Sequence, residues 1–398
     1  MFDLNIALQS VFAFTITLAI LFLFLLGYTF WNRKKRKYWR IYEQKFRDHF
    51  FTLILDYVEQ AEDHLSADEI IKKIGRRTKD YIFFLNLLED LDELLDGAER
   101  QRLNNLIEHP VFLSFYKKKL AEHSTDNNIY ACLYFQYTGL IDDRTLARLV
   151  VISKSSNTKL SYAATKALQS APKLITRKNA LIDFFRRDDI SELMVVELLH
   201  DFDSDIPVER SDIAASLKDI LIKDISTVAK SMIVRYIGHG QYYEISEFSF
   251  QYLKRLQYSG QKSMLIRSLI IALGQLQERK ALPLISQHLA QQNIDVSTRL
   301  AAVKALSSIG KQEDLNSLIK FLLNAEFSIR KTIIHELVQD EDRIKLLDQF
   351  VIANLHYIRQ LRKQDRTNQI KESVEKIKHI ALGIQIALNH RLAQSHAK

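Results

Sequence analysis

The chain has 398 residues, of which 47% are hydrophobic, with only 10 glycines and 4 prolines. Turn-rich β folds use more glycine and proline, so the composition speaks against them and favours helices joined by short loops. A formal charge of +8 would suit nucleic-acid binding, but residues 33–40 and 359–398 each carry +6. Because Asp3 gives residues 1–32 a charge of −1, the body over residues 41–358 carries −3, which argues against nucleic acid as a partner.

The first predicted element is an apolar segment over residues 6–30. Its central part, residues 11–26, has only two polar side chains, Thr15 and Thr17, and both hydroxyls can bond a carbonyl one turn earlier. A helix of this length reaches about 37 Å, enough to cross a hydrocarbon layer of about 30 Å. We therefore predict a transmembrane anchor over residues 1–32. A cleaved signal peptide is the alternative, but its basic n-region and small-residue cleavage site are missing before Asn32.

A basic and aromatic cluster follows the apolar segment. Six of the eight residues from 33 to 40 are Lys or Arg, whereas the preceding flank has Asp3 and no basic residue. The positive-inside rule predicts a single-pass protein of the inner (plasma) membrane, with its N-terminus outside and its C-terminal domain in the cytoplasm. The predicted contacts with lipid are Trp31, Arg33, Lys34, Lys35, Arg36, Lys37, Trp39 and Arg40.

The next elements are helices that precede the repeats. Residues 33–64 form a predicted basic juxtamembrane segment and helix, and residues 65–124 a predicted helical N-terminal cap. Ser66 and Glu69 have the spacing of a capping box. A helix is predicted over residues 78–95 with a strongly acidic polar side. That side is either a solvated face or a binding site for a basic partner through Glu89, Asp92 and Glu93.

A repeated helical pattern is predicted over residues 125–341. The clearest unit spans residues 296–310 and places small and branched apolar residues at helical spacing, with Ala302, Ala305 and Leu306 before a terminal Gly310. Other segments align on that terminal position with steps of 31 to 39 residues, as in arrays of helix pairs. The aligned terminal positions are Gly139, Pro172, Asp203, Gly238, Gln277, Gly310 and Glu341.

This pattern resembles the HEAT repeat, particularly its short bacterial HEAT-like type. The resemblance is strongest over residues 261–340, and the arginine typical of the inner helix is matched at Arg299 and Arg330. It implies antiparallel helix pairs in which small Ala positions allow close packing and a Gly ends the inner helix. The implied fold is all-α, a right-handed α-α superhelix (HEAT-like solenoid) preceded by one transmembrane helix.

Two features concern the far end of the array. Residues 342–398 are predicted to form a C-terminal helical cap of two long helices, about 342–364 and 368–394, because arrays need capped ends. The apolar stripe of the last helix would alternatively pair with a helix of another protein. The step from Gly238 to Gln277 is the longest, so we predict an insertion there that exposes Tyr242 and Tyr243 as partner-binding residues.

No strong catalytic signature emerges from the sequence, so catalytic, cofactor-binding and metal-binding residues are predicted to be none. A P-loop, a nucleophile elbow and a zinc-protease motif are all missing. Acids at 201, 203, 205 and 212 imitate a calcium loop, but Ile206 occupies the position that requires glycine. The single cysteine, Cys132, lies in an apolar run and is predicted to be an inert core thiol.

These observations favour a membrane-anchored, cytoplasm-facing HEAT-repeat scaffold or adaptor that binds other proteins and is not an enzyme. Tethering suits a partner that is itself at the membrane, for example an envelope system for polysaccharide synthesis or secretion. Two alternatives stay open. One is a HEAT-like enzyme or enzyme subunit of the lyase or DNA-glycosylase type, and the other is a sensor of anionic lipid on the membrane surface. Apart from lipid, the expected partner is a protein, with no nucleic acid and no metal.

Overall fold

The structure is a computed structural model that describes residues 2–60, 65–75, 77–92, 94–203, 207–256, 262–323, 325–363 and 367–396. Those residues form twenty α-helices and contain no strand, which confirms the all-helical prediction. They divide into two compact units, Met1–Thr145 and Leu146–Lys398. The handedness of the helical array and the predicted domain limits, including a start of the repeats at residue 125, stay predictions.

The first unit is built on one very long helix. Beyond this helix, the capping box predicted at Ser66 is confirmed, since Ser66 Oγ accepts the Glu69 N–H and Glu69 Oε2 accepts the Ser66 N–H. The helix predicted over residues 78–95 begins at Thr78 as predicted and ends at Asp92, three residues early. The helices are α1 (Phe2–Glu59), α2 (Ala67–Lys73), α3 (Thr78–Asp92), α4 (Gly97–Ile107), α5 (Pro110–Ala121) and α6 (Thr125–Thr138).

Helix α1 has an exposed apolar part near its beginning and a part further along that packs into a core. Residues 14–31 are exposed, and an 18-residue window of this helix has mean hydropathy 2.0 with none of its residues buried. Membrane spans and N-terminal signal sequences share that length and composition. Further along, Phe46, Phe50, Ile54 and Val58 are buried at a spacing of one turn and form part of the core of the first unit. One continuous helix therefore joins the exposed apolar segment to a packed core.

The core of the first unit is largely aromatic. Phe50 contacts Phe84 edge to face at 5.3 Å, and Phe84 stacks on Phe112 at 5.5 Å between ring centroids. Tyr116 stacks on Tyr134 at 4.3 Å, and both side chains are fully buried. These rings join α1, α3, α5 and α6, because aromatic pairs add specific geometry to a large buried area.

The second unit is a solenoid-like stack of helix pairs. Its helices are α7 (Asp143–Ser153, which begins in the first unit), α8 (Thr158–Gln169), α9 (Leu174–Phe185), α10 (Glu192–Phe202), α11 (Pro207–Ile222), α12 (Thr227–His239), α13 (Ser246–Arg255), α14 (Ser263–Gln275), α15 (Leu282–Ala290), α16 (Val296–Ile309), α17 (Gln312–Phe321), α18 (Phe327–Val338), α19 (Glu341–Lys363) and α20 (Thr367–His396). The even-numbered helices from α8 to α20 pack side by side in chain order, and we call them the inner helices. We call the odd-numbered helices that pack against them the outer helices.

Small residues set the spacing of the inner helices. A Cβ on Gly238 of α12 would lie 2.8 Å from Ala272 Cα of α14, and one on Gly274 would lie 2.8 Å from Ala305 Cα of α16. The neighbouring atoms belong to the backbone, so a larger residue would push the helices apart. The small positions predicted from the sequence therefore mark real close approaches between successive repeats.

The two predicted C-terminal helices are confirmed as α19 and α20. Helix α20 packs against α18 in the manner of one more inner helix, and α19 packs against α17 and α20 as one more outer helix. Among the described side chains of α20, the buried apolar residues are Ile377, Ile380 and Ile384. The last pair therefore continues the stack with longer helices.

Candidate membrane-proximal and partner-binding surfaces

The predicted lipid-contacting residues lie where α1 leaves its apolar segment. Trp31 is 68% exposed, and the basic side chains from Arg33 to Lys37 and at Arg40 are also exposed. At about 1.5 Å per residue, residues 31–40 extend about 14 Å along the helix axis. That length exceeds the headgroup layer on one side of a bilayer, which is about 5–8 Å thick. If the apolar segment lay in the hydrocarbon, side chains of residues 31–40 would therefore be present through the whole depth of that layer.

The beginning of α3 adds two cations to this cluster that the sequence analysis missed. Lys79 Nζ lies 3.5 Å from the centroid of the Trp39 ring, and the Arg77 guanidinium lies 6.0 Å from that of Tyr42. Trp39 is accordingly half-buried. Partial burial lowers the pKa of Lys79, and the nearby Lys35 ammonium lowers it further. We call Arg33 to Lys37, Trp39, Arg40, Arg77 and Lys79 the basic-aromatic surface.

A buried carboxylate holds α3 against α1 at this surface. Asp80 is 1% exposed, and its Oδ1 accepts the Tyr42 hydroxyl at 2.8 Å while its Oδ2 accepts the Arg77 N–H at 3.3 Å. A Cβ on Gly75 would lie 2.1 Å from Asp80 Oδ2, so only glycine leaves room for this carboxylate. The hydrogen bonds place Arg77 and Lys79 beside Tyr42 and Trp39.

The predicted acidic binding face of α3 is largely engaged within the first unit. Asp92 accepts two hydrogen bonds from Arg100, both at 2.7 Å, and Asp90 forms an ion pair with Arg47 at 2.6 Å. Glu89 is half-buried, and burial raises the pKa of its carboxyl, with a smaller effect from Asp90. Glu93 lies outside the described residues. A partner-binding role for Glu89, Asp92 and Glu93 stays a prediction, and Asp92 already pairs with Arg100.

The expected exposure of Tyr242 is wrong. Its side chain is fully buried, its hydroxyl donates to Asp203 Oδ1, and the Arg210 guanidinium lies 4.8 Å from its ring centroid. Tyr236 donates to Asp203 Oδ2 at 2.7 Å, so one carboxylate joins α10 to α12 and the following loop. Only Tyr243 is exposed, at 56%, and its role in binding a partner stays a prediction.

The predicted insertion near Tyr242 also needs correction, because α12 and α14 are each followed by a turn of the same type. Gln241 and Gln277 both have a positive φ, of 54° and 52°. The following N–H bonds the carbonyl five residues back in each case, from Tyr242 to Ile237 and from Glu278 to Leu273. Gln241 is therefore the equivalent of Gln277, and the step between them is 36 residues rather than 39.

Replacing Tyr242 with Phe is expected to lower the free energy of unfolding by about 1–2 kcal/mol, because a half-buried carboxylate loses one hydrogen bond. Thermal unfolding of the whole protein in detergent micelles, followed by circular dichroism, measures the change. Tyr243→Phe is the matched control and should alter stability by less than about 0.5 kcal/mol. Equal effects of the two substitutions would contradict the assigned role of the Asp203 hydrogen bonds.

The described residues contain no group of three or more His, Cys, Asp or Glu that could hold a metal ion. Cys132 is fully buried, and burial raises the pKa of its thiol to about 12. A thiol in such surroundings is a poor nucleophile. Asp203, one of the acids that imitate a calcium loop, accepts the two tyrosine hydroxyls instead.

The geometry defines the second unit as a helical-repeat structure, which offers surface for protein–protein interaction. Comparison with protein families agrees with this class: residues 252–338 match the profile of HEAT repeats. The match covers the end of α13 through α18. No curated protein matches the chain.

Proposed function

We propose that this chain is a scaffold anchored in a membrane by α1, with its helical-repeat body in the cytoplasm, where it binds other proteins. The proposal rests on one observation: α1 has an exposed apolar window and then continues into a packed core. Exposing an apolar window of 18 residues to water is costly, at roughly 25 cal/mol per Å² of apolar surface. A bilayer would cover that window, and the same helix continues into the core of the first unit. Such a connection suits an anchor better than a removable leader.

The charge distribution supports the proposed orientation. The basic-aromatic surface follows the apolar window directly, and the positive-inside rule assigns such clusters to the cytoplasmic side. The structure gives this surface two further cations, Arg77 and Lys79. The repeat body would then be presented at the inner face of the membrane. Tethering raises the local concentration of whatever the body binds. A membrane-bound envelope system, such as one for polysaccharide synthesis or secretion, suits that arrangement.

The proposal assigns binding rather than catalysis to the chain. The alternative of a DNA glycosylase requires a positively charged cleft, whereas residues 41–358 carry −3 and both tryptophans precede residue 40. The expected test is crosslinking in native membranes, followed by identification of the proteins that co-purify with the full chain. A discrete membrane-protein partner would support the scaffold. Crosslinks to nucleic acid, or a purified chain that turns over a substrate, would contradict it.

A second function, sensing of anionic lipid, is favoured by the convergence of α3 on the basic cluster. We expect Arg77→Ala together with Lys79→Ala to reduce several-fold the enrichment of anionic lipid around α1, since each cation near the surface contributes about 1 kcal/mol. The two tryptophans, Trp31 and Trp39, both lie in this region and are intrinsic probes. Their quenching by brominated anionic lipid, compared with brominated neutral lipid, measures the enrichment in vesicles that contain the full chain.

The matched control removes two cations from the second unit, with Lys223→Ala and Lys304→Ala. Both side chains are exposed, and their loss should leave the quenching ratio unchanged. An equal response to both double substitutions would mean that net charge, rather than the basic-aromatic surface, attracts the lipid.

A further inference from the structure

An open groove of about 500 Å³ runs between the last two inner helices, α18 and α20. Its apolar floor includes Ile334 of α18 and Gly383 and Ala387 of α20. A Cβ on Gly383 would lie 3.0 Å from Ile334 Cδ1, so the two helices are in side-chain contact at the floor. Near one end of the groove, Arg391 Nη1 donates to the Val338 carbonyl at 2.9 Å, which ties α20 to α18.

Large apolar side chains stand exposed along the groove. Phe327 at the beginning of α18 is 80% exposed, and Leu382 and Ile386 of α20 are 53% and 61% exposed. Leu382 and Ile386 are one helical turn apart and therefore lie on the same side of α20. Single exposed apolar residues are common on soluble proteins, but a cluster around a groove indicates a binding site.

The polar side chains that line the groove are all basic or imidazole groups. Three belong to α18 and two to α20, and the described lining residues include no Asp or Glu. The nearest ion-pair partners of the imidazoles are Glu336, 4.0 Å from His335, and Glu375, 3.8 Å from His379, and neither lines the groove. The five groups are Arg330, Lys331, His335, His379 and His390.

We propose that this groove binds an acidic amphipathic helix of a protein partner. The inference rests on the proposed scaffold function and specifies the chemistry of the partner. A helix laid between α18 and α20 would place its apolar stripe against Phe327, Leu382 and Ile386. Acidic residues beside that stripe would face the basic groups of both helices.

The distribution of basic and imidazole groups favours a helix over a lipid as the occupant. A lipid has one anionic headgroup at one end of its chains, so its site needs cations at one end. Here the basic groups extend from residue 330 to 335 on α18 and from 379 to 390 on α20. The N–H donors of two cations and three imidazoles, repeated along both sides of the groove, match acidic side chains repeated along a helix.

The test uses two fluorescent helical peptides of equal length with the same Leu and Ile stripe, one flanked by Glu and one by Lys. Each is titrated into the full-length protein in nanodiscs of neutral lipid, and anisotropy measures binding. We expect the Glu peptide to bind at least tenfold more tightly than the Lys peptide. Lys331→Glu and, separately, Leu382→Ala with Ile386→Ala should each weaken the Glu peptide about tenfold or more. Lys304→Glu, which makes the same charge change elsewhere on the second unit, should not.

Equal binding of the two peptides, or binding that Lys331→Glu leaves unchanged, would overturn the proposal. Displacement of the Glu peptide by dodecyl phosphate at similar concentrations would assign the groove to an anionic lipid instead. Self-association of the chain that Leu382→Ala with Ile386→Ala abolishes would assign it to a second copy. If the groove variants still crosslink to the same membrane partner as the unaltered chain, the groove assignment fails while the scaffold function stands.

Discussion

Replacing Leu18 and Leu21 with Arg is expected to move the protein from the membrane fraction to the soluble fraction. Both side chains lie in the exposed apolar window of α1, near the middle of the proposed span. An arginine at the centre of a membrane helix costs about 2.5–3.5 kcal/mol on insertion scales, so two cost about 5–7 kcal/mol. That cost offsets a large part of the favourable insertion free energy of the other apolar residues, since each of them provides only about 0.3–0.6 kcal/mol. Fractionation in carbonate buffer measures the outcome.

The matched control makes the same chemical change outside α1, with Leu94→Arg and Leu193→Arg. These leucines are 77% and 66% exposed, so the substitutions should leave the protein in the membrane fraction. The intact mass of the unaltered, membrane-extracted protein separates an anchor from a cleaved signal sequence. A mass that lacks the first thirty or so residues would contradict the anchor, as would membrane retention of the Leu18 and Leu21 variant.

Gly274→Ala is expected to destabilise the second unit by about 1–2 kcal/mol. The added methyl would lie 2.8 Å from Ala305 Cα and 2.9 Å from Ala305 Cβ, too close for an ordinary contact. Overpacking of this kind costs about 1–3 kcal/mol, and the better helix propensity of Ala returns up to about 1 kcal/mol. Because the obstructing atoms are the Cα and Cβ of Ala305, which no side-chain rotation can move, relief requires α14 and α16 to separate. Thermal or urea unfolding of the full chain in micelles measures the loss.

Gly383→Ala is the matched control for this substitution. It also replaces a glycine within an inner helix, but the added methyl meets only Ile334 Cδ1, the end of a flexible side chain, at 3.0 Å. The neighbour can rotate away, so we expect no loss of stability, or a gain of up to about 1 kcal/mol. Similar destabilisation by both substitutions would contradict the view that backbone contact sets the spacing of the inner helices.

Local chemistry made much of the fold predictable. The turn after α6 has Gly139 at φ 65°, the left-handed conformation that glycine favours, and Ser66 and Glu69 form their capping box as expected. The error near Tyr242 has a physical cause. Gly238 is needed for its contact with Ala272, so it marks a close approach within the helix. The helix ends in a turn at Gln241, a residue whose type gives no such signal.

The residues that form the candidate surfaces were harder to predict from the sequence, because tertiary packing brings several of them together. The basic cluster on α1 is contiguous in the sequence, so the sequence alone was enough to predict it. Arg77 and Lys79 lie about 40 residues further along the chain, and their place beside Tyr42 and Trp39 depends on the packing of α3 against α1. The internal partners of Asp92 and the burial of Tyr242 likewise arise from contacts that no local pattern encodes.

Cysteine labelling of the full chain tests the central claim most directly. Buried Cys132, with a thiol pKa raised to about 12, provides an unreactive background for single cysteines at exposed positions. Ala98→Cys and Ser328→Cys provide one such site in each unit. With a membrane-impermeant maleimide, we expect neither site to be labelled in intact spheroplasts and both to be labelled after lysis. Labelling of either site before lysis would contradict a body held on the cytoplasmic side.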